Sequence, residues 1–148
     1  MESPTAVYSK YILLAEDDED DCFIFKNALE ELPLTFHLTI VSNGEELMQL
    51  LNDATMRLPD VLFLDLNMPR KNGFECLQEI RSNKALNELP VVIFSSAYAP
   101  DIVDKLFKDG AQYYVRKPDD ITDYKKVIFH ALHLKHKSSF HNLQHKNL

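Results

Sequence analysis

Short apolar runs alternate with amphipathic stretches along most of the chain. Residues 11–15, 61–64 and 91–94 are continuously apolar, which is typical of strands buried on both faces. Residues 36–41 alternate between apolar and polar, which favours an edge strand, and residues 113–115 predict a fifth strand. The stretches between these runs predict helices. Pro33 ends the first helix, Asn43 with Glu46 three residues later begins the second, and the last runs from about 122 to 136.

The strict alternation of strands and helices predicts one kind of fold. A strand, a helix and a following parallel strand form a right-handed crossover. Five such pairs predict an α/β fold, a doubly wound parallel sheet with helices on both faces. A chain of 148 residues is the size of one domain. We expect that domain to span residues 10–136, between an N-terminal extension (1–9) and a polar C-terminal tail (137–148).

Composition excludes several classes of function. Sixteen Lys and Arg against 23 Asp and Glu give a net charge of −7, which argues against a nucleic-acid partner. No apolar run approaches the ~20 residues of a membrane span, and the first one stops abruptly at acids, unlike a signal peptide. Two isolated cysteines form neither a disulfide framework nor a zinc site. We therefore expect a cytoplasmic protein with no membrane partner.

Reactive side chains follow four of the five predicted strands. Glu16 and Asp17 come after the first strand, Asp65 after the third, Ser95 ends the fourth and Lys117 follows the fifth. In open parallel sheets, ligands bind beyond these carboxyl ends. Neighbouring carboxylates repel unless a cation joins them, and oxygen ligands suit Mg²⁺. With a lysine and a hydroxyl to hold phosphoryl oxygens, the set predicts in-line phosphoryl transfer to Asp65.

The motifs around these residues resemble the receiver domain of response regulators in bacterial two-component signalling. They are ILLAEDD at 12–18, LDLNMP at 64–69 with Gly73, the segment from Pro90 to SSA at 95–97, and YVRKP at 114–118. The resemblance covers about residues 10–136 and is closest in kind to stand-alone, chemotaxis-type regulators. It implies a flavodoxin-like, five-stranded sheet in the order 2-1-3-4-5. It also implies a phosphoacceptor protein that catalyses only its own phosphorylation and slow dephosphorylation.

The resemblance further implies a role for each site residue. Asp65 would accept a phosphoryl group from a sensor histidine kinase or a histidine phosphotransfer protein. The cofactor would be Mg²⁺, or Mn²⁺, and its ligands would be Glu16, Asp17, Asp65 and the backbone carbonyl of Asn67. Lys117 and Ser95 would hold the phosphoryl group. The Lys117–Pro118 peptide bond is often cis in the family. The short loop with Arg70 and Lys71 resembles regulators that partner phytochrome-type kinases.

Output in such proteins is a two-state switch. The resemblance implies that Ser95 moves toward the phosphoryl group and that Tyr114 follows it. The face made by the fourth helix, the fifth strand and the last helix then rearranges and changes the affinity for a downstream protein or for a second copy in a homodimer. The candidate residues of this signalling face are Tyr98, Ile102, Lys105, Tyr113 and Tyr124.

Several features have other interpretations. A haloacid-dehalogenase-type phosphatase also uses a strand-end Asp, but it needs an acid where Asn67 stands. A flavodoxin-like cofactor binder shares the sheet, but the acids after Ala15 would repel a flavin phosphate. Asp18 to Asp21 suit a solvated helix start, Ser95 could satisfy local backbone, and Tyr114 could be plain strand packing. The histidines near the C-terminus, at 130, 133 and 136, form either a polar helix face or a transition-metal site.

Overall fold

The computed structural model describes residues 9–96 and 99–133 and the backbone of 141–142. Tyr98 of the predicted signalling face and His136 of the histidine cluster lie outside the described residues. The strands are β1 (Lys10–Ala15), β2 (Phe36–Val41), β3 (Val61–Leu64), β4 (Val91–Ser95), β5 (Tyr113–Arg116) and β6 (His141–Asn142). The helices are α1 (Glu19–Glu30), α2 (Gly44–Leu51), α3 (Gly73–Ser82), α4 (Pro100–Lys108) and α5 (Ile121–Leu132).

The strands form one parallel sheet in the order β2-β1-β3-β4-β5-β6. The predicted α/β fold and the order 2-1-3-4-5 are therefore confirmed. The sheet also carries a sixth strand beside β5, in register with Tyr113 and Tyr114. The strand has two residues within a polar tail and no apolar run, so no local pattern predicts it.

Two apolar layers cover the two faces of the sheet. Along β1, Leu13 and Ala15 point into one layer, whereas Ile12 and Leu14 point into the other. Helices α2, α3 and α4 supply the first layer, and α1 and α5 supply the second. Successive strand residues point to opposite faces, and both faces are covered. This is why the central strands are apolar at every position.

Polar side chains fix where the helices begin. The carboxylate of Asp18 accepts a hydrogen bond from the Asp21 N–H at 2.9 Å and caps α1. Asn43 caps α2 as predicted, accepting from the Glu46 N–H at 2.8 Å. The Glu46 carboxylate, however, accepts from the backbone N–H of Ser42 rather than from that of Asn43. A reciprocal capping box, in which each side chain bonds to the backbone of the other residue, starts α3 instead.

The described part of α5 ends at Leu132, and His133 follows as its C-cap. The predicted helix extended to 136, but residues 134–140 are not described. Of the residues that the structure describes, no helix is both long enough and apolar enough to span a bilayer.

Candidate functional site

The parallel register brings the ends of four strands to one edge of the sheet. Ala15 lies opposite Leu64, so Glu16 and Asp65 follow at the same level. The backbone continues this pairing by one residue, because the Asp65 N–H donates to the Ala15 carbonyl at 3.1 Å. On the other side, the Lys117 N–H donates to the Ser95 carbonyl at 2.8 Å. Main-chain hydrogen bonds thus hold these residues at one edge of the sheet, independently of the contacts between their side chains.

Three carboxylates meet at this edge. One oxygen from each of Glu16, Asp17 and Asp65 lies within 4.8 Å of the other two. Glu16 and Asp65 are 2% and 5% exposed, whereas Asp17 is exposed at the mouth of the site. An all-oxygen set with one open side is the chemistry that Mg²⁺ or Mn²⁺ prefers. The residues present therefore fit a divalent cation.

Lys117 supplies the positive charge of the site. Its ammonium nitrogen lies 2.6 Å from Oε1 of Glu16, 2.9 Å from Oδ2 of Asp21 and 3.7 Å from Oδ2 of Asp65. The lysine side chain is 7% exposed. A hydrogen bond from nitrogen to oxygen rarely exceeds 3.2 Å, so the lysine is bonded to Glu16 and Asp21 and only close to Asp65.

Burial and charge shift the pKa values of the site in opposite directions. Burial raises the pKa of Glu16 to about 7, although its hydrogen bond from Lys117 works against this rise. Burial also raises the pKa of Asp65, against the lowering effects of the Lys117 charge and of a hydrogen bond with Glu16. Burial alone would lower the pKa of Lys117, but its bonds to Glu16 and Asp21 raise it. The lysine therefore stays charged, while the buried carboxyls compete for a proton.

The loop after β3 holds the Asp65 side chain from the other direction. The backbone N–H groups of Leu66 and Asn67 favour the charged form of the Asp65 carboxyl and so oppose the rise of its pKa. Asn67 itself is exposed, and the role of its backbone carbonyl as a metal ligand stays a prediction. The structure also gives Gly73 a function that the sequence did not reveal. A Cβ at Gly73 would lie 2.4 Å from the Asp65 carbonyl oxygen, so α3 can approach Asp65 this closely only with glycine at its start.

The two predicted switch residues are both buried. Ser95 is fully buried at the end of β4. Tyr114 is 1% exposed and packs in the layer of α2, α3 and α4. The peptide bond between Lys117 and Pro118 is trans, unlike the cis bond often found in the family.

The predicted signalling face divides into exposed and buried members. Ile102 is 38% exposed, and the Lys105 side chain is 57% exposed and pairs with Asp109 at 2.8 Å. Tyr113 and Tyr124 are each only 2% exposed, and the Tyr124 ring packs edge-on against Phe94. Both faces of the sheet are covered at β5, and Tyr113 points into the layer of α1 and α5. A partner docking on this face would meet Ile102 and Lys105, not the two tyrosine side chains.

Asp21 is a site residue that sequence reasoning assigned to the solvated start of α1. It lies 2.9 Å from the Lys117 ammonium, and about a third of its side chain is exposed. The sequence carried no specific signal for this contact, because it depends on where the first turn of α1 lies relative to Lys117. Asp18, by contrast, is the helix cap. Among the described residues, the histidines form no metal-ligand group with Cys, Asp or Glu.

Comparison with known proteins gives one consistent result. The family model described as "Response regulator receiver domain" matches residues 12–129. Response regulator Rcp1 of Synechocystis is 29% identical over 123 residues, which cover 80% of this chain and 84% of Rcp1. The Mn²⁺-bound structure of Rcp1 superposes with a TM-score of 0.74 and covers 80% of this chain and 88% of that one.

Two further solved structures extend the likeness. The phosphorylated cyanobacterial phytochrome response regulator RcpA is 29% identical, with a TM-score of 0.76 and coverage of 82% of this chain and 89% of that one. The bacteriophytochrome response regulator RtBRR is 32% identical, with a TM-score of 0.73 and coverage of 86% and 80%. The matches support neither a haloacid-dehalogenase-type phosphatase nor a flavodoxin-like cofactor binder.

Proposed function

Because the chain belongs to the response-regulator receiver family, we propose that Asp65 is its phosphoacceptor. The chain is a receiver homologous to stand-alone response regulators, and it acts in signalling rather than in metabolism. The observation that carries the proposal is the position of the Asp65 carboxylate. It is buried beside two further carboxylates and the charged amine of Lys117, at the carboxyl edge of the sheet.

The proposed reaction is transfer of a phosphoryl group from a phosphohistidine to Asp65. An Asp65 oxygen attacks phosphorus, a P–O bond forms, and the P–N bond to the imidazole breaks. The imidazole nitrogen keeps the electron pair and takes up a proton. The N–H groups of Leu66 and Asn67 favour the charged carboxylate, and Lys117 and Ser95 are the groups that would hold phosphoryl oxygens. These roles consist of positioning and charge neutralisation, which dominate phosphoryl transfer.

A divalent cation is the cofactor that the acidic cluster supports. The Mn²⁺-bound state of the similar Rcp1 structure agrees with this assignment. We assign Mg²⁺ as the working ion, held by Glu16, Asp17, Asp65 and the carbonyl of Asn67. When bound, such an ion neutralises charge on the phosphoryl oxygens.

The phosphodonor that we propose is a phytochrome-type histidine kinase, or a phosphotransfer protein downstream of one. Receivers of two-component systems take phosphoryl groups from such proteins. The similarity to RcpA and RtBRR, both described as phytochrome response regulators, favours this class. A cytoplasmic location, and a receiver unit spanning residues 10–136, belong to the same proposal.

Output would pass through the face of α4, β5 and α5. Phosphorylation adds negative charge and acceptor oxygens at Asp65. Ser95 would move toward the phosphoryl group, and the Tyr114 ring would move with it. The exposed Ile102 and Lys105 then present the change to a downstream protein, or to a second copy in a homodimer. The partner's affinity changes only as far as it distinguishes the two states.

Phosphorylation with acetyl phosphate and Mg²⁺ tests the assignment of Asp65. We expect the wild-type protein to gain one acid-labile, hydroxylamine-sensitive phosphoryl group, seen by intact mass, and Asp65→Asn to gain none. The exposed Asp53→Asn variant serves as the matched control and should behave as wild type. Equal labelling of Asp65→Asn would place the acceptor elsewhere. A kinase panel that includes phytochrome-type enzymes would then test the phosphodonor.

A further inference from the structure

We propose that Asp21 is a positioning residue for Lys117, which it holds on α1 until a phosphoryl group on Asp65 draws the ammonium away. The proposal rests on the proposed function of Asp65 as phosphoacceptor. It adds a residue outside the metal-ligand group, because that group consists of Glu16, Asp17 and Asp65.

The geometry of Asp21 is fixed by the helix that carries it. Asp21 lies in the first turn of α1, and its backbone N–H donates to the Asp18 carboxylate at 2.9 Å. Its own carboxylate reaches the Lys117 ammonium at 2.9 Å, across 96 residues of sequence. This contact joins α1 to the segment that follows β5. It is shorter than the 3.7 Å that separates the same ammonium from Asp65.

The position of the ammonium makes Asp21 a competitor for Lys117, because the nitrogen is held 3.7 Å from Asp65 by its two other contacts. An ammonium group has three N–H donors, and in this structure it bonds to Glu16 and Asp21. A phosphoryl group on Asp65 adds negative charge and strong acceptor oxygens. To bond to it, the lysine must move toward Asp65 and loosen at least one of its present contacts.

Burial decides which contact loosens. Glu16 is almost completely buried, so water cannot take the place of the lysine at its carboxylate. The Asp21 side chain is 32% exposed, so water can replace the lysine there. The contact with Asp21 is therefore the one that the phosphoryl group breaks. In the resting protein, Asp21 keeps Lys117 off the acceptor oxygen and opposes the phosphorylated arrangement.

Binding of beryllium fluoride with Mg²⁺, a stable substitute for the phosphoryl group, tests this inference. We expect Asp21→Asn to bind it roughly two- to fivefold more tightly than wild type, the range for losing one partly exposed ion pair. The matched control is Asp20→Asn, an exposed acid in the same helical turn, which removes the same charge without the contact. Asp21→Glu, which keeps the carboxylate, should return the affinity toward wild type.

A second measurement reads Lys117 directly and needs neither metal nor phosphoryl group. The ¹⁵N resonance of the Lys117 ammonium, assigned by its loss in Lys117→Arg, should shift in Asp21→Asn and stay in place in Asp20→Asn. Equal affinities in the two variants, weaker binding in Asp21→Asn, or an unmoved resonance would each overturn the role of Asp21. Failure of the wild-type protein to bind beryllium fluoride would instead count against the proposed function.

Discussion

The Lys117 ammonium nitrogen lies 2.6 Å from a carboxylate oxygen of Glu16, and both side chains are almost completely buried. This pair joins the segment after β5 to the end of β1, the two ends of the site. Burying two charges is costly, and their attraction offsets that cost only while both are present. The site therefore depends on a balance between its carboxylates and the positive charge of Lys117.

Replacing Lys117 by Met should destabilise the cation-free protein by about 3–5 kcal/mol at pH 8, the cost of leaving buried charge without its partner. Mg²⁺ should restore part of this loss, because it supplies positive charge to the same carboxylates. Urea unfolding with and without Mg²⁺ measures both effects. The control is Lys125→Met, whose ion pair with Glu31 at 2.8 Å is more exposed and is expected to contribute less than about 1 kcal/mol. Equal losses of unfolding free energy in the two variants would show that the buried pair contributes no more to stability than the exposed pair does.

Binding of Mg²⁺ should release a proton near neutral pH. Burial raises the pKa of Glu16 from 4.5 to about 7, so Glu16 carries a proton below pH 7 when no cation is bound. Glu16 must lose that proton to become a ligand of Mg²⁺. The Mg²⁺ affinity should rise as the pH increases through about 7 and level off above 8. The same raised pKa means that Glu16 favours the folded state below pH 4.5, and that this contribution is lost as the pH rises through about 7.

Calorimetric titration at pH 6.5 in two buffers of different ionisation enthalpy measures this proton release directly. We expect a large fraction of one proton for the wild-type protein at pH 6.5 and almost none at pH 8.5. Glu16→Gln, which cannot ionise, should show little release at either pH. A pH-independent Mg²⁺ affinity in the wild-type protein would contradict the raised pKa.

The fold could be predicted from the sequence because each central strand is apolar throughout. That pattern requires helices on both faces, and the two layers that meet along β1 satisfy it. Strand β6 could not be predicted, because it has only two residues and both are polar. Tyr113 and Tyr124 were candidates for an exposed face, yet both are buried. Sequence pattern alone could not show that Tyr113 points into the layer of α1 and α5 or that the Tyr124 ring packs against Phe94.

Part of the site could be predicted from the sequence for a related reason. In a parallel sheet, residues that follow different strands share one edge, so the strand ends alone suggested Glu16, Asp65 and Lys117. The contact of Asp21 with Lys117 depends on where the first turn of α1 lies, which a run of acids does not specify. The close approach of α3 to Asp65 depends on backbone packing around Gly73. Such contacts between elements follow from the three-dimensional packing and not from local pattern.

Replacing Gly73 by Ala should lower both stability and phosphorylation. Alanine favours a helix over glycine by about 1 kcal/mol, but here its Cβ would lie 2.4 Å from the Asp65 carbonyl oxygen. The clash should outweigh the propensity and cost roughly 1–3 kcal/mol while displacing the acceptor. Urea unfolding and acetyl phosphate labelling measure the two effects. Gln78→Ala, at an exposed position of α3, is the control, and a Gly73→Ala protein as stable as that control would contradict the argument.

Replacing Ser95 by Ala should weaken the phosphorylated state. The Ser95 side chain is fully buried at the end of β4, at the same edge as Asp65, and we expect its hydroxyl to donate a hydrogen bond to a phosphoryl oxygen. A hydrogen bond to a charged group contributes about 1.5–3 kcal/mol, so affinity for beryllium fluoride with Mg²⁺ should fall roughly tenfold or more. Fluorescence or NMR titration measures it, with the exposed neighbour Ser96→Ala as control. If Ser95→Ala and Ser96→Ala bind equally well, the hydroxyl serves only the local backbone, and the switch must begin at another residue.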